Sequence, residues 1–182
     1  MQNKFAWIST PDELWDNKKE MITTALESGI DHVLDLDDCE NIRKLGNVKI
    51  ISNSDDADIF LVGINGEGDG VLELSEDFTD SVDIANARKA KSEGKTVCAY
   101  VIITDKAHEQ LAVKLGSIAD YVILVGTDWT IIPLENIIAD LQKEDVNIIA
   151  AVRDVDGARV ALETLEHGTD GVIFEANDFN NI

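Results

Sequence analysis

The chain has 182 residues, of which 45% are hydrophobic and 28% charged, and its formal charge at pH 7 is -21. This length and apolar content suit one domain with one core, whereas the acidity argues against nucleic-acid or anionic-membrane partners, which are bound through Lys and Arg. No apolar run is long enough to span a bilayer and the N-terminus lacks a signal-peptide pattern, so we expect a cytoplasmic protein.

Short apolar segments alternate with amphipathic ones along the chain. Most of the short segments are continuous apolar runs, which are typical of strands covered on both faces of a parallel sheet. The predicted strands are Phe5–Ser9, His32–Leu36, Val48–Ser52, Ile59–Ile64, Thr96–Ile103, Tyr121–Gly126, Asn147–Val152 and Gly171–Glu175. The predicted helices are Glu13–Ser28, Ser81–Glu93, Lys106–Leu115, a helix that begins at Pro133, and Asp154–His167.

An internal repeat supports this alternation. The segment Leu26–Val33 matches Leu165–Val172, and in both a helix ends at a glycine, Gly29 or Gly168, before a strand begins. Glycine at this position is typical of a helix C-cap. The repeating unit is therefore a strand followed by a helix, which right-handed crossovers assemble into a parallel sheet.

Eight strands of this kind favour an α/β fold, a (β/α)8-like barrel, with an open doubly wound parallel sheet as the alternative. The segments Val48–Ser52 and Ile59–Ile64 are too close together to hold a helix between them. Only a short polar segment follows the eighth strand, so the barrel would lack its last helix at the C-terminal end. We therefore interpret residues 1–182 as a single domain that forms the N-terminal part of a longer chain.

The cysteines and histidines do not have the spacing of a metal site. Cys39 and Cys98 lie in different predicted elements and the three histidines are isolated, so we expect free thiols and no bound metal. The glycine-rich segment Gly63–Gly70 has the acidic spacing of a calcium loop, but a strand precedes it where a helix is needed. It also lacks the spacing of a dinucleotide-binding turn, and we interpret it as a flexible acidic loop.

In a barrel, chemistry takes place where the strands end and the following loops begin. Polar residues recur at these positions, although each acid there also suits a helix N-cap. Arg153 stands out because the chain has only four arginines and this one directly follows a strand. It could bind a substrate carboxylate through two parallel hydrogen bonds, or it could form a surface ion pair with Asp154 or Asp156.

The segment Gly126–Leu141 reads as a strand end, a loop and a helix, with Asp128 and Trp129 in the loop and Glu135 and Asn136 in the first turn of the helix. This segment resembles a signature of the archaeal-type 3-dehydroquinate synthase, also called 3-dehydroquinate synthase II. Further agreement, in order along the chain, comes from Lys4–Trp7, Thr23–Ser28 and Leu165–Val172.

The resemblance implies an NAD-dependent oxidoreductase of aromatic amino-acid biosynthesis. Members of this family oxidise the amine of 2-amino-3,7-dideoxy-D-threo-hept-6-ulosonate with NAD and release ammonia, and the resulting ketone cyclises by an internal aldol reaction to 3-dehydroquinate. This chemistry needs a base, a nearby hydride acceptor and a donor to the aldol oxyanion. Family members also carry a strand-rich second half that this chain lacks.

From the matching positions we predict Asp128, Glu135 and Asn136 as catalytic residues and Trp129 as a substrate contact, with Arg153 added from its position alone. No motif locates the NAD site. Two alternatives remain open. One is a barrel-type aldolase or lyase that forms a lysine Schiff base, for which Lys49 is the lysine on a strand. The other is a fragment that is inactive without its second half.

Overall fold

A computed structural model describes residues 4–10, 14–126, 134–153 and 169–175 of the chain. The strands are β1 (Phe5–Ser9), β2 (His32–Leu34), β3 (Lys49–Ser52), β4 (Ile59–Val62), β5 (Val97–Ile102), β6 (Tyr121–Val125), β7 (Asn147–Val152) and β8 (Gly171–Glu175). The helices are α1 (Trp15–Glu27), α2 (Cys39–Arg43), α3 (Val82–Ser92), α4 (Lys106–Gly116) and α5 (Leu134–Leu141). The predicted helix Asp154–His167 lies outside the described residues.

The eight strands form a closed parallel barrel in chain order. Closure depends on β1 and β8, which pair over five residues from Phe5 opposite Gly171 to Ser9 opposite Glu175. The predicted barrel is therefore confirmed, and the open-sheet alternative is wrong. Residues 53–58, between β3 and β4, form turns without a helix, as their short length predicts.

Side-chain hydrogen bonds define where several helices begin. The Asp105 carboxylate accepts the N–H of His108 at the start of α4, and the Ser81 hydroxyl does the same for Ile84 at the start of α3. The sequence did not predict α2, because five residues are too few to show an apolar period. The first turn of α2 is fixed instead by Asp35, whose Oδ2 accepts the N–H of Asp37 and Asp38.

The core has two layers, separated by the strand backbones. Side chains inside the barrel form one cluster, which includes Trp7, Leu34, Cys98, Ile123 and Ile149. The alternate strand residues point outward and pack against the helices in two further clusters. This alternation explains why the strands are apolar at every position.

Among the described helices, none is both long and apolar enough to cross a membrane.

Aromatic rings fill the N-terminal end of the barrel. Trp7 stacks on His32, with ring centroids 5.4 Å apart and planes inclined by 4°. Tyr121 and Phe5 also contact the Trp7 ring. The Phe5 ring lies so close to Gly171 that a Cβ there would be 2.5 Å from it. This end of the barrel is closed by packing, so an open site is expected at the opposite end.

Candidate functional site

The carboxyl ends of all eight strands meet at one edge of the barrel, as the parallel order requires. Among the described residues, the polar side chains at inward-facing positions there include Tyr100 on β5, Arg153 directly after β7, and Glu175 at the end of β8. Tyr100 packs against the inner cluster. Arg153 and Glu175 are each two residues beyond a member of that cluster, Ala151 and Ile173, and so continue the same alternation. We call these three residues the mouth cluster.

Tyr100 remains protonated at neutral pH. Burial raises the pKa of its phenol to about 12, and the negative charges of Glu175 and Asp69 add to the effect. The phenol is therefore a hydrogen-bond donor placed near a carboxylate at the barrel mouth. A donor beside a base is the pair that proton transfer at a substrate carbonyl requires.

Arg153 contacts Glu175 across the β7–β8 pair, with 4.0 Å between Nε and Oε2. The Arg153 side chain is 74% exposed. An exposed ion pair of this length contributes little stability, so a substrate carboxylate can replace Glu175 at low cost. The alternative partners Asp154 and Asp156 lie outside the described residues. The role of Arg153 in substrate binding stays a prediction. Its exposed position at the barrel mouth suits that role.

The other predicted site residues belong to the connection after β6. Asp128 and Trp129 lie outside the described residues. Glu135 and Asn136 are exposed in the first turn of α5, and Asn136 lines a groove of about 420 Å³ between α4 and α5. Helix side chains such as Lys106, Gln110 and Asp140 form this groove on the outer layer of the barrel. The structure therefore does not bring Asn136 together with the mouth cluster, and the catalytic roles of all three stay predictions.

The glycine-rich loop after β4 is folded against β5. The carbonyl of Gly68 accepts the N–H of Ile102 at 2.8 Å, and a Cβ on Gly68 would be 2.0 Å from the Tyr100 carbonyl oxygen. The Nε2 of His108 on α4 lies 3.2 Å from the Glu67 carbonyl oxygen. These contacts hold Asp69 near Tyr100, so the loop is part of the mouth.

The acids of this loop bind its own backbone. Asp69 accepts N–H groups from Asn65, Gly66 and Val71, and Glu67 Oε1 accepts those of Val82 and Asp83 at the start of α3. The calcium-like spacing is thus explained by backbone capping, and the expected flexible loop is instead ordered. Within the described residues no three acidic, histidine or cysteine side chains are grouped to hold a metal ion.

A buried charged network, which the sequence analysis missed, joins the first two strand ends. Lys18 Nζ lies 2.9 Å from Asp35 and 2.8 Å from Asp38, and the Thr10 hydroxyl donates to Asp35 at 2.6 Å. The Lys18 side chain is 1% exposed. The sequence did carry a signal for this burial, because Lys18 lies one helical turn before Ile22 on the apolar face of α1.

The charge on Lys18 bears on the aldolase alternative. Burial alone would lower its pKa, but hydrogen bonds and charges from Asp38 and Asp35 outweigh burial and raise it. A Schiff-base lysine must be neutral to attack a carbonyl, so Lys18 is unsuited to that role. Lys49 is exposed at the first residue of β3, at the end of the barrel opposite the mouth. Neither lysine supports an aldolase.

Comparison with known proteins agrees with the resemblance noted in the sequence. Residues 3–182 match the sequence model of the 3-dehydroquinate synthase II N-terminal domain. The chain belongs to this family. A 3-dehydroquinate synthase of Methanobrevibacter smithii is 77% identical over 173 residues, which are 95% of this chain and 47% of the relative. A second, from Methanothermobacter thermautotrophicus, is 62% identical over 179 residues, 98% of this chain and 48% of the relative.

Family membership therefore applies to a domain, since the chain spans about half the length of the curated relatives it matches. Solved structures with similar folds include the (S)-3-O-geranylgeranylglyceryl phosphate synthase of Thermoplasma acidophilum, with a TM-score of 0.61 and 14% identity over 99% of this chain and 88% of that one. A truncated 3-deoxy-D-arabino-heptulosonate 7-phosphate synthase of Thermotoga maritima has a TM-score of 0.58 and 14% sequence identity. The match covers 98% of this chain and 80% of that one. These likenesses establish the barrel fold alone.

Proposed function

We propose that this 3-dehydroquinate synthase II domain supplies the barrel half of an enzyme that deaminates 2-amino-3,7-dideoxy-D-threo-hept-6-ulosonate oxidatively and cyclises the product to 3-dehydroquinate. The observation that carries the proposal is the protonated Tyr100 phenol close to Glu175 at the barrel mouth of a domain in this family. Both reaction stages need proton transfer: deamination at the amine nitrogen and at the water that adds to the imine, and aldol closure at the carbon beside one ketone and at the oxygen of the other. The mouth cluster contains the required types of group.

The aldol stage assigns a role to each member of the mouth cluster. A base removes a proton from the carbon beside one ketone, and Glu175 is the carboxylate placed to accept it. The new carbon–carbon bond turns the oxygen of the attacked ketone into an alkoxide, to which the Tyr100 phenol donates its proton. Arg153 binds the substrate carboxylate and so fixes which ketone faces Tyr100.

NAD would accept the hydride in the deamination stage. The described residues do not fit it, because the one glycine-rich loop at the mouth uses its N–H groups for Asp69 and Asp83 and carries carboxylates that would repel a pyrophosphate. A site for NAD is expected to need residues beyond those described, including the second half of the protein.

The test uses the full-length protein with the amino sugar acid and NAD. We expect NADH absorbance to rise together with ammonia release, and little or no turnover from the isolated 182-residue chain. Failure to reduce NAD with authentic substrate would remove the proposal. Trapping of a substrate–lysine adduct by borohydride would favour the aldolase instead, and full activity of the isolated chain would show that the second half is dispensable.

A further inference from the structure

The most exposed large hydrophobic side chains of the described residues are concentrated at the barrel mouth. They are Leu14, Val71, Leu72 and Val82, with 80%, 63%, 40% and 45% of their surface exposed. Leu14 directly precedes α1, Val71 and Leu72 follow β4, and Val82 begins α3. Because helices in this fold run antiparallel to the strands, all four positions lie at the C-terminal edge. Isolated exposed apolar residues are ordinary, but a concentration at one edge indicates a contact surface.

Three of these residues are hydrogen-bonded through their backbone to the loop after β4, and we call Val71, Leu72 and Val82 the rim ridge. The Leu72 N–H donates to the Gly66 carbonyl at 2.9 Å, and the Val71 N–H donates to Asp69 at 3.1 Å. The Val82 N–H donates to Glu67 in the same loop. The backbone thus holds the rim ridge in place before any partner binds, which lowers the entropy cost of association.

The segment that connects Leu72 to Val82 is rich in exposed carboxylates. Four exposed acids lie in this segment: Glu73, Glu76, Asp77 and Asp80. Hydrogen bonds from Thr79 lower the pKa of Asp77, which keeps its charge in mildly acid solution. A complementary surface therefore has an apolar centre bordered by Lys and Arg side chains.

We propose that the second half of the full-length protein docks on the rim ridge and covers the barrel mouth. The relatives that this chain matches are about twice as long as the matched region, so a partner of domain size is covalently available. Docking there would bury the ridge and enclose Tyr100 and Glu175 together. Enclosure would exclude water from the proton-transfer groups, which strengthens their electrostatic interactions.

The test separates the two halves of the full-length protein without changing their contact. A protease site is inserted after Ile182, the protein is cleaved, and size-exclusion chromatography reports whether the halves remain together. We expect the cleaved wild-type halves to co-elute, and the pair Val71→Asp with Leu72→Asp to weaken their association about tenfold or more. Added salt should weaken it further, because the border is charged.

The matched control is Ser92→Asp, which adds a charge at an exposed position at the opposite end of helix α3 from Val82. We expect its halves to co-elute as in the wild type. Separation of the wild-type halves on cleavage, or co-elution of the double variant at wild-type affinity, would overturn the proposal. A dimer of the isolated chain that the double variant breaks, while the halves still co-elute, would assign the rim ridge to a second copy instead. None of these readouts depends on enzymatic activity.

Discussion

Tyr100 is the residue through which the proposed chemistry is most directly tested. In the full-length enzyme, Tyr100→Phe keeps the ring in the barrel core and removes only the hydroxyl. We expect kcat to fall about 10²-fold or more, because a positioned general acid contributes 10²- to 10⁴-fold. Steady-state kinetics of NADH formation and of 3-dehydroquinate release measure the effect.

Tyr121→Phe is the matched control for that substitution. Tyr121 is the other tyrosine of this chain and lies in the aromatic group at the N-terminal end of the barrel. Its hydroxyl has no place in the proposed site, so kcat should stay within about twofold of the wild type. Equal losses in the two variants would mean that Tyr100 acts through packing and not through its proton.

Lys18 tests the buried network between the first two strand ends. Lys18→Met removes one partner of a buried pair and leaves Asp35 and Asp38 without their cation, which typically costs about 3–5 kcal/mol. Urea unfolding of the chain at pH 7 measures the loss. The adjacent Lys19→Met, at an exposed position, should change the free energy of unfolding by less than about 0.5 kcal/mol.

The pH dependence of that difference follows from the raised pKa of Lys18. A lysine with a pKa above 10.5 in the folded state contributes stability fully below pH 10.5 and loses it as the pH rises through the higher folded value. The wild type and Lys18→Met should therefore differ by a constant amount from pH 6 to 9 and converge only in strong alkali. Convergence near neutral pH would contradict a charged Lys18.

At the level of elements, the loop after β4 depends on close contact with β5. Gly68→Ala places a methyl group against the Tyr100 carbonyl, so we expect a cost of about 1–3 kcal/mol and a displaced Asp69. Gly70→Ala, in the same loop, meets no atom within 4 Å and bears only the strain of φ +80°, about 1 kcal/mol. Urea unfolding and kcat of the full-length protein distinguish them: only Gly68→Ala should also lower kcat.

The sequence predicts the elements better than it predicts their polar contacts. Continuous apolar runs and the glycine repeat identify all eight strands, and Gly29 indeed has a left-handed φ of +88° after α1. The pattern fails at α2 and in the loop after β4, where side-chain carboxylates bind backbone N–H groups. Such contacts depend on three-dimensional distances that no sequence period records.

The candidate site was predictable in outline only. The rule that strand ends carry chemistry selected Arg153, which the structure places beside Glu175. It did not select Tyr100, because an aromatic residue inside the apolar run Val97–Ile102 looks like core until the facing carboxylates are known. Lys18 was overlooked because a lysine in a helix is ordinarily exposed to solvent, whereas this one is buried.

For the whole molecule, closure of the barrel is what places Tyr100, on β5, in one mouth with Arg153 and Glu175, which the β7–β8 pair already joins. The closing pair, β1 with β8, joins the two ends of the described chain. No short loop connects these two strands, so chain connectivity does not help them to pair. Its register is fixed where the Phe5 ring lies over Gly171. This contact is therefore expected to be the most sensitive point of the closure.

A double-mutant cycle tests that expectation. Gly171→Ala should cost about 1–3 kcal/mol, because its Cβ would overlap the Phe5 ring, and Phe5→Leu alone should also destabilise the chain by removing part of the aromatic packing. The two together should cost less than the sum of the single changes by about 0.5 kcal/mol or more, since leucine leaves room for the new methyl group. Urea unfolding of the four proteins gives the coupling. Strict additivity would show that backbone hydrogen bonds alone set the pairing of β1 with β8 and that the Phe5 ring does not contribute.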